Sequence, residues 1–173
     1  MSSWITGSTG RTIEQDYLKN IKPEKIKDYP NPKLYVPYRK AIEICKAAQP
    51  WENPSAPESF FLKDLHEEIT RKSKLEDKNK LKIYTAIGSH LDYLHGIDFF
   101  VEEVLPNGKV IRVTGDLTEN PNKDEYKADL IFLVPYGALD PALPADKKEY
   151  GYMIGDFAQK FIKEINDKNI SKS

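Results

Sequence analysis

The stretch that decides the fold is His95-Gly96-Ile97-Asp98-Phe99-Phe100-Val101-Glu102-Glu103-Val104-Leu105, then Pro106-Asn107-Gly108, then Lys109-Val110-Ile111-Arg112-Val113-Thr114-Gly115-Asp116-Leu117-Thr118. Two β-rich runs flank a turn, which reads as a hairpin. Pro-Asn-Gly suits a three-residue loop: Pro106 and Asn107 form a type I turn and Gly108 takes the left-handed position of a bulge. Leu105 then pairs with Lys109, Glu102 with Arg112, and Asp98 with Asp116. In this register one face carries Ile97, Phe99, Val101, Leu105, Ile111, Val113 and Leu117, broken only by Glu103. A two-residue Asn-Gly loop would shift the register, mix the apolar sets and separate the aspartates onto opposite faces.

Directly opposed carboxylates repel unless a positive charge sits between them. The spacing therefore points to a divalent cation at Asp98 and Asp116. Oxygen donors suit Mg²⁺ or Mn²⁺, whereas three histidines and one cysteine offer little for zinc or copper. Lys123, just beyond Thr118, is placed to bring a positive charge to the same strand end.

Upstream, Phe60 to Leu75 reads as a helix capped by Ser59, with Phe61, Leu65, Ile69 and Leu75 on one side. Stepping about 100° per residue places Glu68 inside that apolar stripe and Glu67 on the opposite, solvated side. Glu68 is thus a candidate third acid. Leu81 to Ile87 and the apolar run Ala128 to Val134 read as further strands, and Tyr150 to Ile165 as a closing amphipathic helix. Residues 166–173 read as frayed.

Residues 1–57 differ in character. Seven of the 12 prolines fall between Pro23 and Pro57. A helix with Ile42, Ile44, Cys45 and Ala48 available for packing is expected at Tyr38 to Ala48, and a short one from a Thr12 cap to Asn20. The region reads as a Pro- and Tyr-rich arm packed on a core at 58–165. His90 and His95, near Gly88 and Gly96, read as turn or hydrogen-bonding residues rather than ligands.

Composition bounds the rest. The chain has 173 residues, enough to bury about 70% of its extended surface in one domain. One cysteine, Cys45, excludes an internal disulfide. No apolar run reaches the roughly 18 residues of a membrane span, and Met-Ser-Ser-Trp-Ile does not resemble a secretory leader. A soluble, cytoplasmic protein is expected. A net charge of −1 gives no global attraction for polyanions, so such a partner would be gripped by local patches. Candidate patches are Arg71, Lys72 and Lys74 at one helix end, and lysines interleaved with Tyr29, Tyr35 and Tyr38.

The ordered set of helix glutamate, strand, Gly96-Ile97-Asp98, hairpin and Asp116-Leu117-Thr118 resembles the PD-(D/E)XK nuclease superfamily over roughly residues 58–135. The resemblance implies an α+β or α/β restriction-endonuclease-like core, with a small mixed sheet flanked by helices. It implies Mg²⁺ or Mn²⁺ held by Asp98, Asp116 and Glu68, and hydrolysis of a phosphodiester in DNA. Thr118 stands where the family has lysine, so Lys123 or Lys127 would take that part. Thr118 and Asn120 would lie against the nucleic acid beside Arg71, Lys72 and Lys74. Small nucleases of this kind often act with a second copy or a targeting partner. A relative that binds nucleic acid or protein without cutting is the alternative.

Overall fold

The computed structural model describes the backbone of residues 9–171 and the side chains from Ile13 onward. Its centre is a four-stranded mixed sheet in the order β1 (Leu81–Thr85), β2 (Phe99–Val104), β3 (Val110–Thr118), β4 (Leu130–Leu133). The first three strands form an antiparallel meander, and β4 runs parallel to β3. Among the described residues five α-helices surround it: α1 (Thr9–Leu18), α2 (Tyr38–Ala47), α3 (Phe60–Ser73), α4 (His90–His95) and α5 (Pro144–Ser171). This is a mixed α+β architecture with helices on both sheet faces.

The hairpin register is the one the turn demands. Phe99 pairs with Gly115, Glu102 with Arg112 and Val104 with Val110. Leu105 N–H donates to Lys109 O at 2.8 Å, and Gly108 sits at φ +86°. Only glycine holds that left-handed angle without strain.

Alternation along the strands then sorts two cores. Phe99, Val101, Ile111, Val113 and Leu117 meet α3 and α5, with Phe132 of β4 stacked on Phe161 (centroids 5.1 Å) and Phe61 edge-on to Phe99. Tyr84, Ala86 and Phe100 face the other way, onto Ile42, Cys45 and Ala48 of the α2 region and Leu91 of α4. With both faces covered, polar residues on the strands need partners. The polar exceptions are paired: buried Glu102 accepts from Arg112 Nε (2.8 Å) and from Lys46 Nζ of α2 (3.1 Å).

Several boundaries differ from the sequence reading. The Ser59 cap is present, its Oγ accepting from Leu62 N–H at 3.1 Å. The helix ends at Ser73, however, and Leu75 reaches the core through a left-handed Lys74 cap (φ 55°) in which Leu75 N–H bonds Thr70 O. The first helix begins by Thr9, so Thr12 lies within it rather than capping it. The closing helix starts early, at Pro144, because proline suits a first turn that needs no N–H partner. It also runs on through 166–171, correcting the expectation of fraying. Lys168 anchors that last stretch, donating to Asp129 and to Arg112 O, each at 2.6 Å. Residues 172 and 173 lie outside the described residues, as does the N-terminal Met-Ser-Ser-Trp-Ile. Among the described residues no helix is long and apolar enough to cross a membrane.

Gly115 allows the aromatic layer to close. A Cβ there would lie 2.8 Å from Phe99 and 3.0 Å from Phe132, and both rings are fully buried. Gly115→Ala should therefore cost about 1–3 kcal/mol by overpacking. Denaturant unfolding checks this, and a loss below about 0.5 kcal/mol would mean the ring layer is looser than its contacts imply.

Candidate acidic site

The hydrogen-bond ladder between β2 and β3 opens one step beyond Phe99 and Gly115, where Asp98 comes opposite Asp116. Asp98 N–H goes to Gly115 O (2.9 Å), and its own C=O accepts from Ala86 beyond the end of β1 (2.8 Å). Its Oδ2 takes the Leu117 N–H at 2.8 Å, so the side chain substitutes for a rung of the ladder. Both carboxyls are buried, at 4% and 5% exposure, and hydrogen-bond each other.

Burial is the main force raising the Asp98 pKa well above the usual carboxylate range. The negative charge of Glu14 on α1 and the bond to Asp116 push it further in the same direction, and the Leu117 N–H opposes them weakly. At neutral pH Asp98 therefore carries the proton between the two acids.

Lys123 faces the pair from the far side, its Nζ 2.5 Å from Asp116 Oδ2. Local turn chemistry brings it there. Thr118 Oγ1 accepts from Asn120 N–H (3.0 Å), Asn120 Oδ1 from Asn122 N–H (2.9 Å), and Asn120 O from Lys123 N–H (3.3 Å). These linked side-chain turns fold the chain back beyond β3 so that Lys123 returns to Asp116. Thr118 and Asn120 thus position the lysine. Lys127, the other lysine considered, instead donates to Leu94 O at 3.2 Å.

The structure does not bring Glu68 to this site. The helical phase was read correctly, since Glu68 is half-buried and Glu67 exposed. But Glu68 accepts two bonds from Arg71 at 2.9 Å, with Lys72 at 3.9 Å, and it lies against Gly155 of α5. Arg71 is the first cause holding Glu68 below its ordinary value. Nearby His66 bonds Leu81 O at the start of β1, whereas Asp98 pairs just past its end, roughly 17 Å along the strand. Arg71, Lys72 and the Lys74 cap share that remote end. The acid nearest the pair by its influence is instead Glu14, which sequence reasoning missed: helix phase reports which side faces inward, not which sheet end a helix reaches.

His90 and His95 serve the arm. Their Nε2 atoms bond Asn31 O (3.0 Å) and Val36 O (2.9 Å), tying residues 31–36 to α4. Cys45 is fully buried against Thr85 O, and burial pushes its thiol up to about 12.

Compared with protein-family models, curated proteins and solved structures, the chain matches none. The chemistry of the site must be argued from its geometry.

The donor set fits Mg²⁺ in kind: two opposed carboxylates at a strand end. No three acids, histidines or cysteines gather closely enough to hold a metal together among the described residues. A cation here would be held by Asp98 and Asp116, with solvent completing its shell.

The protonated Asp98 has a consequence for stability. The folded-state pKa lies above the unfolded value of about 3.9, so between them the folded state holds more protons and stability falls as pH rises. Asparagine reproduces the protonated form. Asp98→Asn should raise Tm at pH 8 in EDTA by about 3 °C or more, with the gain vanishing near pH 4. A variant that melts below wild type at pH 8 would show that Asp98 is ionised in the folded state.

Proposed function

We propose that the protein is a metal-dependent deoxyribonuclease of the PD-(D/E)XK type, hydrolysing phosphodiesters with Mg²⁺ or Mn²⁺ held by Asp98 and Asp116. The observation that carries this reading is the burial of two opposed carboxyls at a strand end with Lys123 beside them. A fold stabilised only by packing gains nothing from such a pair, since burying like charges costs free energy that a strand residue such as threonine would avoid. The order of three antiparallel strands followed by a parallel one also accommodates the expected restriction-endonuclease-like core, with the segment 119–129 crossing without a helix.

When bound, the cation lowers the pKa of a coordinated water and stabilises negative charge on phosphate. The chain's own residues supply the rest. Asp98 would hold the cation as its carboxylate, so metal-dependent activity would rise with pH. Asp116 is paired with Lys123, whose ammonium would offset negative charge developing on a bound phosphate. Leu117 N–H and Gly115 O fix the Asp98 backbone and carboxylate, so the pair is organised before substrate arrives. Glu14 adds negative potential that favours a cation over a neutral ligand. Glu68 takes no part.

The alternative of a non-cutting binding domain draws on one observation. A protonated Asp98 and an Asp116–Lys123 ion pair already balance the local charge without metal.

Mg²⁺ at several millimolar should raise the Tm of wild type but not of Asp98→Ala. On plasmid and oligonucleotide DNA, Asp98→Ala and Asp116→Ala should lose at least about 100-fold in metal-dependent cleavage. Lys123→Ala should lose about 10-fold or more while keeping its Mg²⁺ shift, and Glu68→Gln should cut at the wild-type rate. Neither a Tm shift nor cleavage by wild type would move the reading to the non-cutting domain.

A further inference from the structure

The arm carries side chains that packing does not explain. Tyr35 is 71% exposed and Tyr38 is 40% exposed, on either side of buried Val36. Both rings lie against His95, with centroids 6.0 Å and 5.7 Å from it. The group is held rigidly despite its exposure. Val36 is seated in the second core, and its carbonyl is bonded by His95 Nε2 at 2.9 Å. The rings are not coplanar, Tyr35 being inclined 58° and Tyr38 80° to His95, and the exposed parts of the two tyrosines offer ring surface for stacking. Lys33 and Arg39 are exposed on the same segment, and Lys127 is exposed beside it, its methylenes packed within 4 Å of where a Gly96 Cβ would lie.

The rings adjoin the acidic site along the chain. His95 is three residues from Asp98, a span of at most about 11 Å. Lys127 belongs to the same segment that returns Lys123 to Asp116. A polymer with flat rings on a negatively charged backbone would thus find stacking faces and cations within one or two repeats of the carboxylates. Paired bases keep their faces stacked on one another, so a duplex offers these rings little.

From this arrangement we infer that Tyr35, Tyr38 and His95, flanked by Lys33, Arg39 and Lys127, bind a single-stranded DNA segment by base stacking and lead it to Asp98 and Asp116. The choice of DNA rests on the cleavage reading above; the binding does not require catalysis.

The test is fluorescence anisotropy of a labelled single strand of about 15 nucleotides, with the full chain in EDTA at low salt. Wild type should bind this strand at least about tenfold more tightly than a blunt duplex of equal length. Tyr35→Ala/Tyr38→Ala should lose about tenfold or more, and Tyr35→Phe/Tyr38→Phe should keep wild-type affinity with an unchanged melting curve. With three phosphates neutralised, the log–log salt slope should be about −2. Equal affinity for duplex, wild-type binding by the alanine pair, or tighter binding of the same sequence as RNA would each overturn the inference. Cleavage that depends on Asp98 while the alanine pair binds normally would retire the stacking rings and leave the cleavage reading. Ring-dependent binding without metal-dependent cleavage would do the reverse.

Discussion

The register of one hairpin governs this molecule. Gly108 at a left-handed angle fixes the three-residue turn, and every side chain of β2 and β3 is thereby assigned a face. Phe99, Val101, Ile111 and Val113 on one side demand the cover that α3 and α5 provide. Phe100 on the other demands the arm. A slip of one residue would turn Phe99 and Val101 from the α3–α5 side to the arm side and break the Glu102–Arg112 pair. The same register carries two aspartates to a single strand end. Architecture and site therefore share one determinant.

The arm is better understood as the second half of the sheet's burial than as an appendage. Ile42, Cys45 and Ala48 complete a core that Tyr84, Ala86 and Phe100 begin. Polar ties reinforce it: Gln49 exchanges two bonds with the Thr85 backbone (2.8 and 2.9 Å), and Lys46 joins Glu102. Its prolines mark turns and helix starts: Pro23 opens a 3₁₀ turn and Pro37 precedes α2. Since Thr85 and Ala86 adjoin Asp98, the arm also closes one side of the acidic site.

How much of this could be read in the sequence depends on the range of the interactions. The hairpin, the Ser59 cap and the inward phase of Glu68 follow from neighbours within a few residues, and these are visible in a string of letters. Lys123 was legible as a candidate because Thr118, Asn120 and Asn122 are turn formers, yet nothing local chose it over Lys127. Glu68 and Glu14 mark the limit. Which sheet end a helix glutamate approaches depends on how α1 and α3 dock, and that is set by Tyr17 stacking on Phe61 and by His66 meeting Leu81, contacts between distant segments. The length of α5 was hidden for the same reason, because its last turns look polar until Lys168 finds Asp129.

The electrostatics of the acid pair bear most directly on what it does. A pair that existed to hold the fold would be better served by a full ion pair for each acid, yet Lys123 reaches Asp116 alone. Asp98 is left to carry a proton in a buried site beside Glu14, with no cation among its hydrogen-bond partners within the described residues. Such a group is held at a free-energy cost that a divalent ion would relieve by replacing the proton with two positive charges. The turn residues Thr118 and Asn120 meanwhile keep Lys123 beside Asp116 without burying it. The two acids thus differ in their partners although they share one strand end: Lys123 lies against Asp116, and the Leu117 N–H against Asp98.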